Sequence, residues 1–97
     1  MAGEAVPMLR QASAGLRDKG DVMVRLLPAP AGSGVQLEIE SKVMTMFGDQ
    51  IRATVLEIIG SYGLTDVTVS VQDQGALDYV IRARVQTAIE RAIREKR

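Results

Sequence analysis

The residues best able to present a reactive group lie in Ala14-Gly15-Leu16-Arg17-Asp18-Lys19-Gly20-Asp21, which runs directly into Val22-Met23-Val24-Arg25-Leu26. Gly15 and Gly20 let the backbone turn. The alternating segment that follows anchors one end of the loop. A loop held in this way suits carrying a group to other surfaces better than transforming it. The chain has no Cys and no His. That removes thiol nucleophiles, imidazole bases and the commonest zinc ligands, and no metal site is expected. Neither GxGxxG after a strand nor GxxxxGK(S/T) occurs, so the glycines build no phosphate loop.

Other groups with chemical potential have plainer readings beside the sharper ones. Glu38 and Glu40 are two apart, as expected of the wet face of a strand. Asp73 and Asp78 flank Gly75, and Asp78 is placed either to orient Arg82 or Arg84 or to serve as an acid–base group. On a strand, Arg82 and Arg84 point the same way. They then form a solvated basic strip or a docking strip for a phosphorylated group or a partner subunit. No nucleophile–base constellation is visible, so a free-standing enzyme is not expected.

Composition narrows the classes further. A chain of 97 residues forms one domain with a modest core. Twelve basic residues balance twelve acidic ones and alternate with them, which leaves no footprint for nucleic acid or an anionic membrane. Phe47, Tyr62 and Tyr79 are the only aromatics, too few for a base-stacking platform. No run approaches the roughly 20 apolar residues of a membrane span, and the N-terminus lacks an apolar stretch of signal-peptide length. The absence of cysteine is compatible with a reducing compartment. The expected location is the cytoplasm.

The elements follow from periodicity. Residues 1–20 are poor in pattern and read as a flexible N-terminal arm, with Met8 and Leu9 packing locally. Residues 21–97 read as a single domain. Val22, Val24 and Leu26 alternate with Met23, Arg25 and Leu27. After the Pro28–Gly34 connection, Val35, Leu37 and Ile39 alternate with Gln36, Glu38 and Glu40. These two segments are expected to pair as an antiparallel hairpin. Ser41 is a candidate N-cap. Val43, Phe47, Ile51, Val55, Ile58 and Tyr62 then recur at helical spacing, with Met44, Thr54 and Ile59 beside them and Gly60 and Gly63 as stop signals. Val67, Val69 and Val71 alternate again before the turn at Asp73-Gln74-Gly75. Residues 76–85 fit either period; a strand over about 78–84 is favoured, then a helix carrying Val85, Ala88, Ile89, Ala92 and Ile93. Arg94, Lys96 and Arg97 suit its C-terminal dipole end. The expected fold is α+β, ordered ββαββα. Its four-stranded, mainly antiparallel sheet carries both helices on one face, and Asp21–Leu26 is echoed by Asp66–Val71.

Several stretches together resemble the acyl carrier (gamma) subunits of citrate lyase. They are Ala14-Gly15, Gly20-Asp21-Val22-Met23-Val24, Phe47-Gly48-Asp49-Gln50-Ile51-Arg52, and Asp73-Gln74-Gly75-Ala76-Leu77-Asp78-Tyr79 with Ile81-Arg82-Ala83-Arg84. The resemblance spans about residues 12–92, and the malonate decarboxylase carrier subunit is similar in layout. It implies a carrier loop within residues 1–20 and a carrier domain after it. It also implies a covalent 2′-(5″-triphosphoribosyl)-3′-dephospho-CoA arm, joined through a phosphodiester to a serine just before the Gly20-Asp21 pair. The arm's thiol holds acetyl and then citryl for alpha (transferase) and beta (lyase) subunits. The carrier's own contribution is proximity. That serine position is Lys19 here, and an amine forms no phosphodiester. Three readings remain open: Ser13 as the attachment point, an unmodified subunit that keeps only an assembly or scaffold role, or a shifted loop alignment. The same resemblance leaves a citrate relative such as citramalate open as substrate.

Overall fold

Val22, Val24 and Leu26 on one strand, and Val67, Val69 and Val71 on another, turn every second side chain inward, and all six are fully or almost fully buried. These two strands form the centre of the sheet. In the computed structural model, residues 10–41 and 44–93 are described. The elements are β1 (Ala12–Ala14), β2 (Val22–Pro28), β3 (Val35–Ser41), α1 (Met44–Ser61), β4 (Val67–Asp73) and α2 (Asp78–Ile93). Met8, Leu9, Val43, Arg94, Lys96, Arg97 and the side chain of Met44, all given roles above, lie outside the described residues.

The strand order is β1-β2-β4-β3. β1 pairs antiparallel with β2, and β2 with β4, whereas β3 runs parallel to β4. The α+β class, the mainly antiparallel four-stranded sheet and the two helices are as expected; the element order is βββαβα instead of ββαββα. Three local expectations are corrected. β2 and β3 do not form a hairpin, because β4 lies between them. Their six-residue connection, residues 29–34, is long enough to cross two strand spacings, about 10 Å. Asp66, at φ 56°, fixes that crossing by accepting from Gly34 N with its Oδ1 (2.9 Å) and from Ala29 N with its carbonyl (2.9 Å).

The second correction is at residues 78–84, which are the first half of α2 rather than a strand. Ile81, Val85, Ala88, Ile89 and Ala92 are buried at helical spacing, while Leu77 and Tyr79, which suggested alternation, stand in solvent. Leu77 is the N-cap: its carbonyl accepts from Val80 N and Ile81 N. The third is the boundary at residue 20. Residues 12–14 of the expected arm are an edge strand whose Ala14 is buried in the core.

α1 ends in a Schellman motif. Leu64 N donates to Ile59 O (3.3 Å), Gly63 N donates to Gly60 O (3.0 Å), and Gly63 takes φ 69°. α2 packs on β1 and β2, α1 packs on α2 and β3, and both helices join one core with the inward sheet residues. Each fully buried aliphatic side chain there contributes about 1.5–3 kcal/mol relative to exposure. The opposite sheet face carries Ser13, Met23, Arg25, Leu27, Gln36, Glu38, Glu40, Thr68, Ser70 and Gln72. Among the described residues no helix is long and apolar enough to cross a membrane.

Candidate functional site

The register pairs Val22 with Asp73 and Asp73 with Ser41, so the loop between β1 and β2, the turn after β4 and the start of α2 all meet at one end of the sheet. Asp21 N donates to Asp18 O (2.9 Å), closing a turn with Lys19 and Gly20 as its central residues. Gly20 has φ 79°, the geometry of a type II turn, which requires glycine or asparagine there. Lys19 therefore occupies the corner. It is exposed, and among the described residues its amine has no hydrogen-bond or ion-pair partner.

The base of this turn is fastened from two sides. Gly20 N donates to Gln74 O (2.8 Å), and Gln74 N donates to Asp21 O (2.9 Å), which ties the loop to the β4–α2 connection. The Asp21 carboxylate accepts from Leu16 N (3.2 Å) and Val22 N (2.7 Å), and so spans the loop. It also accepts a forked pair from Arg84: Nε to Oδ1 and Nη2 to Oδ2, both 3.0 Å. The Arg84 guanidinium, then the Val22 amide, hold the Asp21 carboxyl below its ordinary value. Gly15, at φ 89°, lies under this junction against the Val22 carbonyl.

The structure brings Gly20, Asp21 and Arg84 together with Lys19 and separates them from Arg82. On a helix, residues two apart face different sides, so Arg82 and Arg84 form no strip. Arg82 donates from Nε to Asp78 Oδ2 (2.7 Å) and from Nη2 to Glu57 Oε1 (3.3 Å). Asp78 also accepts from the Thr54 hydroxyl (3.0 Å), and its carboxyl is held low mainly by Arg82. Ser13 lies outside the loop, on β1, opposite Arg25 in register. It is exposed, and its carbonyl accepts from Arg91 Nη1 (2.8 Å).

Three features escaped the sequence reading. Asp73 is 1% exposed and accepts from the Ser41 hydroxyl (2.7 Å) and from Ala76 N (2.8 Å). Its parity with Val67, Val69 and Val71 marks it as inward-facing. Ser41, considered as an N-cap, ends β3 and joins this network. The Asp21–Arg84 pair spans 63 positions, and nothing local signals it. Beside Asp73 a cleft of about 250 Å³ opens between Phe47, Gln50 and Ile51 of α1 and residues 73 and 75–78.

A displayed turn on a rigid sheet end, with Asp21 at its base forked onto Arg84, is the build of a carrier domain. Known proteins agree. The family model described as "ACP: Malonate decarboxylase delta subunit (MdcD)" matches residues 9–92. The "Citrate lyase acyl carrier protein" of Edwardsiella ictaluri is 44% identical over 81 residues, covering 84% of this chain and 82% of that protein. The protein of that name from Serratia proteamaculans is 46% identical over 85 residues, covering 88% and 82%. A chain of a Pseudomonas malonate decarboxylase hetero-tetramer, solved in complex with malonate, superposes with a TM-score of 0.78. It covers 92% of this chain and 90% of its own at 19% identity, a likeness of fold. The chain belongs to the citrate lyase acyl carrier protein family, and as such is a non-catalytic carrier subunit of an enzyme complex.

Proposed function

We propose that this chain carries a CoA-derived thioester, acetyl and then citryl, between the alpha (transferase) and beta (lyase) subunits of a citrate-lyase-type complex. The observation that supports this best is the β1–β2 hairpin, whose loop base is bonded to Gln74 and Arg84 while Ser13 on β1 stays exposed. A group tethered to a fixed platform meets two active sites at a high effective concentration. The chain's residues position the group and make or break no bond in it.

The arm in this reading is 2′-(5″-triphosphoribosyl)-3′-dephospho-CoA, which supplies the thiol. The amine of Lys19 does not fit its phosphodiester link. Ser13 does fit: its hydroxyl is exposed, and Arg25, the register partner on the same sheet face, offers a guanidinium to the phosphate. Gly20 and Asp21 shape the adjoining loop. In this reading the CoA-derived donor and the reduced thiol favour a cytoplasmic complex.

Lys19 at the turn corner favours a second reading, an unmodified subunit that keeps the assembly role. Intact-mass spectrometry of the chain co-expressed with its own modifying enzymes separates the two. Added mass equal to the arm, mapped to the Ser13 peptide, supports the carrier. Unmodified protein that co-purifies with the lyase subunits supports the scaffold. Neither added mass nor co-purification contradicts both.

A further inference from the structure

Arg84 and Arg91 are seven residues apart, two helical turns, and so project from the same side of α2. Both reach the same hairpin. Arg91 donates to the carbonyl of Ser13 in β1, and Arg84 forks onto Asp21 where the loop enters β2. One grip lies under each of the two positions considered for attachment, Ser13 and the 18–21 turn.

The geometry points to a two-point clamp in which α2 fixes the direction of the β1–loop segment, with Arg84 as a positioning residue for whatever that segment presents to the enzyme subunits. The fork matters as well as the charge. Its two parallel bonds set the orientation of Asp21, and Asp21 holds Leu16 N and Val22 N at opposite ends of the loop. The Arg84 stem adds a steric side: its Cδ would stand 3.1 Å from a Cβ at residue 15. Without the fork, the Gln74 backbone bonds still hold the turn base, but the Leu16 end is released. The loop then samples several directions without unfolding of the domain.

The functional half of this inference rests on the carrier reading; the structural half does not. The test compares Arg84→Met, Arg84→Lys and Arg91→Ala with the parent chain in two measurements. Amide hydrogen exchange by NMR is expected to be about tenfold faster at Leu16 in both Arg84 variants, while core amides such as Val24 and Val69 keep their protection. Arg91→Ala is expected to speed exchange in β1 and leave Leu16 unchanged. In the reconstituted complex, Arg84→Lys is expected to lower kcat about five- to tenfold at an unchanged half-saturating carrier concentration, the mark of misdirection rather than weak binding. Unchanged exchange at Leu16 overturns the clamp, as does an exchange or kcat effect that merely tracks a loss of core protection. A complex with no turnover on the parent chain removes the carrier reading, and the exchange experiment still decides the clamp.

Discussion

Gly15 lies so close to Val22 that a Cβ built on it would stand 1.8 Å from the Val22 carbonyl oxygen. Gly20, five residues on, has open space around the same position. Both hold a positive φ, 89° and 79°. Gly20→Ala is therefore expected to cost about 1–2 kcal/mol from backbone conformation alone. Gly15→Ala adds a backbone clash and is expected to cost more than about 3 kcal/mol or to prevent folding. Urea unfolding of the two variants checks the order; equal costs would show that the Gly15–Val22 approach is not tight.

The Asp21–Arg84 pair sets a pH dependence. Unfolded, Asp21 titrates as an ordinary aspartate. Folded, Arg84 and the Val22 amide hold it lower. Its contribution is complete above the unfolded value and is lost as pH falls through the folded one. Arg84 is 41% exposed, which limits the contribution to about 1 kcal/mol. Asp78 is shifted in the same direction, mainly by Arg82. Stability measured from neutral to strongly acidic pH is expected to fall less steeply in Asp21→Asn than in the parent. Parallel curves would contradict the pairing.

Asp73 closes the sheet end from within. Asp73→Ala removes the acceptor of the part-buried Ala76 amide and one partner of the Ser41 hydroxyl, at an expected cost of about 2–3 kcal/mol. Asp73→Asn keeps an acceptor for Ala76 N and is expected to lose about half as much. Calorimetry of both variants tests this, and a neutral Asp73→Ala would remove Asp73 from the framework.

The helical start of α2 makes a sharper distinction. Leu77 and Tyr79 are 62% and 70% exposed, whereas Ile81 is 3% exposed. Leu77→Ala and Tyr79→Ser are expected to stay within about 0.5 kcal/mol of the parent, and Ile81→Ala to cost about 2–4 kcal/mol. Chemical denaturation of the three decides it. Large costs at all three positions would restore a strand packed through residues 77, 79 and 81.

What the sequence exposed and what it hid divide along physical lines. Local period was legible: the inward valines of β2 and β4, the α1 stripe over Ile51, Val55, Ile58 and Ile59 and the glycine stop at Gly63 lie where their spacing puts them, whereas Phe47 of that stripe is exposed. Partner choice was not. Alternation in β3 states which face is wet, but the strand beside it is selected by β4 and by the Asp66 crossing, which lies 32 positions from Gly34. Residues 76–85 satisfied two periods at once, and the helix won through Ile81, Val85 and Ala88 against the sheet, leaving Leu77 and Tyr79 in water. The site divides in the same way. The loop with Lys19, Gly20 and Asp21 was visible from its glycines, but the long-range grips of Arg84 and Arg91 were not.

The carrier reading meets its most direct test in citrate cleavage by purified transferase and lyase subunits supplemented with the modified chain. Oxaloacetate formation is expected to require the chain, to disappear with Ser13→Ala and to persist with Lys19→Ala. Cleavage that proceeds equally without the chain, or that survives Ser13→Ala, would contradict it.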